Sequence, residues 1–481
     1  MPPSFRTPRS TASRRELLGK IACGFGGTAL AGLLAEEARA ASSVSPLGSR
    51  PSHFPARAKR VIFLFMHGGV SHVDTFDPKP KLAELNGKPL PFPKPKFEFA
   101  DTGNLLRSPW QFRKHGESGL ELSDLFPHLA RRADDLCVIR SMNGGNQVSH
   151  GPALLTLHTG DGVFARPSVG AWTLYGLGSE NRDLPGFIVL APAVSVHGGA
   201  QNYGSAFLPA SFQGMRIGES QTPFQAEIPA IMKPADDPAL QRLQLDLLRR
   251  ANLRHRPPAD DDARLDARLE AFELTFRMQM AAPEAMDLAR ESPATRALYG
   301  IGQEPTDEFG KMCLLARRFV ERDVRFVQVC YSYPRNYWDA HGGLVKNHST
   351  HAKRVDQPIA GLLADLKGRG LLDETLVVFG TEFGRTPASQ GTDGRDHHPH
   401  AFSMWLAGGG VKGGMAYGAT DEFGYYVAEN KVTMPDFHAT LLHLLGLDHT
   451  RLTYRHAGRD FRLTDVSGHV VRPILRDAAD G

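Results

Sequence analysis

The sequence predicts an α/β fold, a mostly parallel central sheet covered by helices. Short β-branched or aromatic runs recur at Val61–Phe65, Leu136–Ile139, Phe187–Leu190, Val324–Val329, Thr375–Phe379 and Phe402–Leu406, each of a length suited to a buried strand. Helical patterns separate several of them: Asp124–Asp134, Glu308–Glu321, and Thr350–Arg369, whose Ile359, Leu362, Leu363 and Leu366 form a stripe spaced by three and four residues. Alternation of this kind belongs to layered α/β domains.

Taken from the N-terminus, the chain first reads as an export signal over residues 1–40. Arg14-Arg15 precede an apolar, Gly/Ala-rich stretch from Ile21 to Ala35, and Ala38-Arg39-Ala40 has the A-x-A form of a cleavage site. The apolar stretch is shorter than the ~20 residues a membrane-spanning helix needs. The expectation is therefore carriage by the twin-arginine translocase to the periplasm or beyond, leaving a domain over residues 41–481. Residues 1–40 hold six Lys/Arg and three Glu, so the formal net charge of +4 falls to +1 for that domain. A nucleic-acid surface needs a basic excess, and this domain hardly has one. Cys137, Cys313 and Cys330 remain, each in an apolar run, and an odd number gives no disulfide framework; they read as buried thiols. From Asp236 to Gly300 the strand pattern stops, and a helical insertion broken by RHRPPADDD is expected. Gly87–Pro95 and Val196–Pro229 read as long surface loops of the kind that often carry function.

Three strand patterns run directly into polar, Gly/Pro-bearing clusters: Val61–Phe65 into MHGGVSHVDTFDPKP, Val324–Val329 into YSYPRNYWDAHGG, and Thr375–Phe379 into GTEFGRTP. All three would emerge at carboxyl ends of strands, the edge that holds the ligand crevice in open α/β sheets. Six of the 20 histidines (His341, His348, His351, His397, His398, His400) fall within residues 338–351 and 396–400, interleaved with Asp339, Glu382 and Asp396. Mixed His/carboxylate sets are what catalytic Zn, Mn or Mg sites draw on. Arg385 and Arg395 suit either bidentate holding of a sulfate, phosphate or carboxylate or bonding to loop carbonyls. After the Leu136–Ile139 strand, NGGNQVSHGPALLTLHTGDG reads as a loop entering a helix near Pro152. Ser149 or His150 would then sit at that helix's N-terminus, where an anion is favoured; Ser149 is equally suited to be a plain N-cap.

Together, MHGGVSHVDTFDPKP, WDAH, LLDETLVVFGTEFGRTP, GRDHHPHAFSMWLAGGGVKGG and DFHATLLHLLGLDH resemble the exported proteins of domain-of-unknown-function family 1501, over roughly Arg57 to Leu475. That family is placed in the alkaline-phosphatase-like superfamily. The resemblance implies a three-layer sandwich, two divalent metal ions (Zn, Mn, Mg or Ca) at the strand ends, and a nucleophile that hydrolyses a sulfate or phosphate ester. It implies that Asp339 and His341 hold one metal, that Glu382 serves the other, and that Asp396, His397 or His398 supplies a late ligand. The first-strand metal Asp of the superfamily is replaced by His67, with Asp74 further on. Ser149-His150-Gly151-Pro152 occupies the nucleophile region without the sulfatase Cys-x-Pro-Ser-Arg pattern, and Arg385 would neutralise developing charge. The implied substrate is an anionic ester such as a sulfated glycan; the alternative is a lapsed sulfatase-like protein that grips an anionic glycan or envelope partner without turnover.

Overall fold

Alternating side chains of the strand Arg60–Met66 (β1) divide the core in two: Ile62, Leu64 and Met66 join one apolar cluster, Val61, Phe63 and Phe65 the other. Both faces of the sheet must therefore be covered, as a parallel sheet requires. The computed structural model describes residues 47–93, 102–191, 197–218, 224, 237–254, 262–332 and 337–476. The expected export signal and residues 255–261 of the RHRPPADDD break lie outside the described residues.

The other strands that matter here are Leu136–Asn143 (β2), Phe187–Leu190 (β3), Met215–Ile217 (β4), Phe326–Tyr331 (β5), Thr375–Gly380 (β6), Gly384–Gln390 (β7), Gly394–His398 (β8), Phe402–Ala407 (β9), Met415–Tyr417 (β10) and Val432–Thr433 (β11). The central sheet runs β10-β2-β9-β6-β1-β5-β3-β4, with β11 also beside β2. Every pair in it is parallel except those made by β9, which is antiparallel to β2 and β6. One face is covered by His150–Thr159 (α1), Val169–Leu177 (α2) and Met434–Leu444 (α7); the other by Asp262–Met286 (α4), Asp307–Val320 (α5) and Leu344–Gly368 (α6). The result is a three-layer α/β sandwich, and all six strands read from the sequence are present. Pro238–Arg254 (α3) and α4 make up about half of the described chain between β4 and β5. Among the described residues no helix is long and apolar enough to cross a membrane. Cys137, Cys313 and Cys330 are free and buried.

Two helices depart from expectation. Asp124–Asp134 is not one helix; a 3-10 turn begins at Leu129, because the Asp356 carboxylate on α6 accepts the N–H groups of His128 and Leu129 at 2.8 and 2.7 Å. That start is fixed by a residue far away in sequence. Helix α6 begins at Leu344, after Gly343 (φ 61°), rather than at Thr350, and continues through Pro358.

The β7–β8 ribbon lies outside the central sheet and is anchored by a buried ion pair. Arg395 Nε lies 2.7 Å from Asp74 Oδ2, and Nη2 lies 3.2 Å from Oδ1; both side chains are fully buried. Burial alone would raise the Asp74 pKa, but the adjacent guanidinium outweighs it and holds the carboxyl below its ordinary range. With the folded pKa depressed, this stabilisation is complete above the unfolded value of about 4 and is lost as pH falls through the folded value. Asp74→Asn is thus expected to cost about 3–5 kcal/mol in denaturant titration at neutral pH, because it strands a buried cation. The gap from wild type should narrow in acid, and a chelator should leave it unchanged.

Candidate metal centre

Histidine 67 is the first residue beyond β1, Asp339 lies in the loop after β5, and Glu382 stands two residues past β6. Since β1, β5 and β6 are parallel neighbours, their carboxyl ends deliver all three side chains to one edge. The approach is close. A Cβ on Gly68 (φ 114°) would sit 2.7 Å from the Asp339 nitrogen and 2.8 Å from that of Trp338, so only glycine lets this loop pass. Gly68 N in turn donates to Glu382 Oε1 at 2.8 Å. The β7–β8 ribbon adds Asp396 and His397, with His397 paired opposite Arg385, and α1 adds His150 in its first turn.

Three overlapping groups of donor atoms result: His67, His150 and Glu382; His150, Asp339 and His397; His341, Asp396 and His397. Within each group the donor atoms all lie within 4.8 Å of one another. His150 Nδ1 is 2.7 Å from Glu382 Oε1 and its Nε2 is 3.5 Å from Asp339 Oδ2, so this ring bridges the first two groups. Asp339 Oδ1 is 3.0 Å from His341 Nε2 and 3.1 Å from His397 Nε2, and the two nitrogens are 3.0 Å apart.

Neighbouring acceptors set the tautomers. His397 Nδ1 is 2.6 Å from the Val148 carbonyl, which can only accept, so the proton is on Nδ1 and the Nε2 lone pair faces the centre. His341 Nδ1 is held in the same way by the Gln390 amide oxygen. Burial, then Arg385, lower the His397 pKa to about 4. Burial lowers His67 to about 4 despite Glu382. Burial also opposes charging of His150, but the Asp339 and Glu382 carboxylates outweigh it and raise the pKa to about 9. Glu382, which burial alone would raise, is held down to about 2, chiefly by His150. Asp339 is held far below the carboxylate range: three imidazoles and Arg385 overcome its burial.

Six of the eight residues expected to be ligands (His67, Asp339, His341, Glu382, Asp396, His397) are therefore brought together. Asp74 and His398 are not. Asp74 is committed to Arg395, and His398 Nε2 bonds the Tyr425 carbonyl at 2.6 Å on the far side of the ribbon. A register shift between Arg395 and His397 lets Asp396 and His397 share the centre, and beyond it the strand alternates, so His398 turns to the opposite face. Arg385 does not face an open site either. It is fully buried; Nε bonds Gly69 O at 3.0 Å, Nη1 bonds Arg395 O at 3.2 Å, and Nη2 is shared by Gly68 O and Asp339. Both arginines thus bond loop carbonyls as well as carboxylates. His150, expected at a helix start that favours anions, sits among the donors. Ser149 is the N-cap of α1, but its side chain makes no capping hydrogen bond.

Two residues escaped sequence reading. His197 is exposed, with Nδ1 3.4 Å from His67 Nε2 and its ring stacked 5.2 Å from that of His150. It belongs to the long loop flagged in the sequence, but nothing local to SVHGGAQ distinguishes it. Gln390 has no signal at all, since its role exists only through the fold.

No curated protein matches the chain. Among solved structures, the lipoteichoic acid synthase LtaP from Listeria monocytogenes is similar at 9% identity, covering 87% of this chain and 78% of that one, with a TM-score of 0.38. A protein of the alkaline phosphatase superfamily from Vibrio parahaemolyticus matches at 10% identity over 85% and 71%, TM-score 0.36. The PsFucS1 sulfatase from Pseudoalteromonas sp. matches at 13% over 81% and 68%, TM-score 0.33. Likenesses this distant carry no argument about chemistry, which rests on the side chains above. At the level of sequence the match is extensive: the pattern of the family described as "Protein of unknown function (DUF1501)" covers residues 58–475, and the chain belongs to that family.

Proposed function

We propose that the protein is an exported, metal-dependent hydrolase of sulfate or phosphate esters, acting on an anionic substrate such as a sulfated glycan. One observation carries the metal. The neutral His397 presents its Nε2 lone pair to a carboxylate oxygen of Asp339 at 3.1 Å and to His341 Nε2 at 3.0 Å. Lone pairs in such contact repel unless a positive charge lies among them: a proton on His341, whose pKa the Asp339 carboxylate raises, or a metal cation. Ligands about 2.0–2.1 Å from a shared cation, at right to tetrahedral angles, lie about 2.8–3.4 Å apart, which fits these spacings.

His341, Asp339, His397 and Asp396 would hold one ion, and His67, Glu382 and His150 a second. When bound, such ions supply Lewis acidity, lowering the pKa of an oxygen nucleophile and polarising the ester oxygen. Gln390 and the Val148 carbonyl orient His341 and His397, a contribution typically worth about 10–100-fold in affinity. Arg385 holds Asp339 in place and does not touch substrate. Ser149 is the proposed nucleophile. Its hydroxyl is free of capping, and its neighbours Val148 and His150 both contact the donor set. The N-terminal N–H groups of α1 would accept the charge that develops on the ester oxygens. Ester chemistry itself comes from the superfamily resemblance of the motifs. Residues 1–40 are proposed to be a cleaved twin-arginine signal that places the mature domain in the periplasm or medium.

Three outcomes are expected. Glu382→Ala and His397→Ala should lose bound metal by elemental analysis, together with the melting-temperature drop that a chelator causes in wild type; full metal content in both variants would remove the centre from this edge. Ser149→Ala should retain metal and lower turnover on a phosphatase and sulfatase panel by orders of magnitude. If wild type is metal-loaded yet inert across the panel, the lapsed binding protein is the better reading. Replacing Arg14 and Arg15 with Lys should leave precursor in the cytoplasm, as followed by fractionation and blotting.

A further inference from the structure

On the face of the sheet covered by α6, lined by none of the donors of the metal centre, lies a cavity of about 400 Å³. That is within the ~300–1,000 Å³ typical of small-molecule sites. Ser349, Lys353, Asp356 and Gln357 form one wall, spaced i, i+4, i+7 and i+8 along α6 and so on one side of the helix. Trp110 and Leu125 supply apolar surface opposite, and Asp124 stands beside them.

Its polar groups divide into two sets. Asp356 is spent on the His128 and Leu129 amides, and Gln357 Nε2 donates to Ala297 O. The Asp124 carboxylate, the Lys353 ammonium and the Ser349 hydroxyl have no side-chain partner among the described residues. Apart from Asp356 and the His128 imidazole beside it, the charges on the lining are thus one of each sign, which favours neither an anion nor a cation. What suits an aromatic face flanked by a free carboxylate, ammonium and hydroxyl is a neutral ring with an apolar C–H face and hydroxyls around its edge. We infer that this cavity is a binding site for a hexopyranose sugar, stacked on Trp110 and hydrogen-bonded at its rim by Asp124, Lys353 and Ser349. The inference does not depend on the ester-hydrolase reading.

The chain contains its own reporter. Of its four tryptophans, Trp172, Trp338 and Trp405 are at most 1% exposed, and only Trp110 is partly open. Titrating the purified full chain with the methyl α- and β-glycosides of glucose, galactose and mannose should give a saturable change in tryptophan emission with at least one of them. Asp124→Asn and Lys353→Met, both at exposed positions, should each weaken that binding by roughly tenfold, the loss of one good hydrogen bond to a charged group. Trp110→Ala should abolish it in saturation-transfer NMR, a readout that does not need the reporter. Metal-stripped protein should bind as tightly as loaded protein. The site is overturned if no glycoside gives a saturable signal, if both rim variants bind like wild type, if chelation removes binding and so moves it to the metal centre, or if free lysine or glutamate binds more tightly than any sugar.

Discussion

A guanidinium without access to water needs an acceptor for nearly every N–H it carries, and Arg385 finds them on three separate segments. Its partners are the carbonyls of Gly68 and Gly69 after β1, Asp339 after β5, and the Arg395 carbonyl across the β7–β8 ribbon. A buried charge tolerates little displacement, because losing one acceptor leaves a donor uncompensated in a low-dielectric interior. The donor set depends on this constraint, since Asp339 touches His150, His341 and His397 and its position comes from Arg385. The Arg395–Asp74 pair repeats the device one strand away, tying the ribbon to the short helix His72–Thr75. Of the two roles the sequence left open for these arginines, anion holding or bonding to loop carbonyls, it is the second that keeps the loops in register.

The electrostatics follow from that scaffold. Asp339, Glu382 and Asp396 place three carboxylates in a pocket where burial drives His67 and His397 toward the neutral form while the carboxylates favour the charged form of His150 and His341. The charge is offset locally by Arg385 and by the proton that Asp339 and Glu382 hold on His150. Because His150 and His397 each belong to two donor groups, changes at either ring are felt at both.

Much of this was legible in the sequence, for identifiable reasons. Buried strands such as VIFLF and TLVVF have no competing periodicity, and parallel topology places the residues that follow them on one edge, so His67, Asp339 and Glu382 could be located without coordinates. The ribbon could not. GRTPASQGTDGRDHH reads as a loop because it has none of the apolar alternation of a strand; it is extended because Arg385 and Arg395 are buried against acceptors contributed from elsewhere. The same blindness covers the start of the 3-10 turn at Leu129, set by Asp356, and the orientation of His341 by Gln390. Each depends on a partner tens to hundreds of residues away, to which local propensity is silent. The doublet His397-His398 shows the limit most clearly: composition marks both, and only strand alternation separates the ring at the centre from the one that staples Tyr425.

The donors of the centre are spread from residue 67 to residue 397, and β9, which separates β6 from β2 in the middle of the sheet, comes later still. During synthesis the first strand and its histidine emerge early, yet they have no carboxylate partner until the chain has passed Glu382. The sheet cannot close around them until Phe402–Ala407 has been made. A nascent chain therefore holds the donor set only in part until His397 has been made, and any ion that the full set would hold must wait until nearly the whole polypeptide has left the ribosome. The order of the residues along the chain works as a clock that keeps the site blank until the fold is finished.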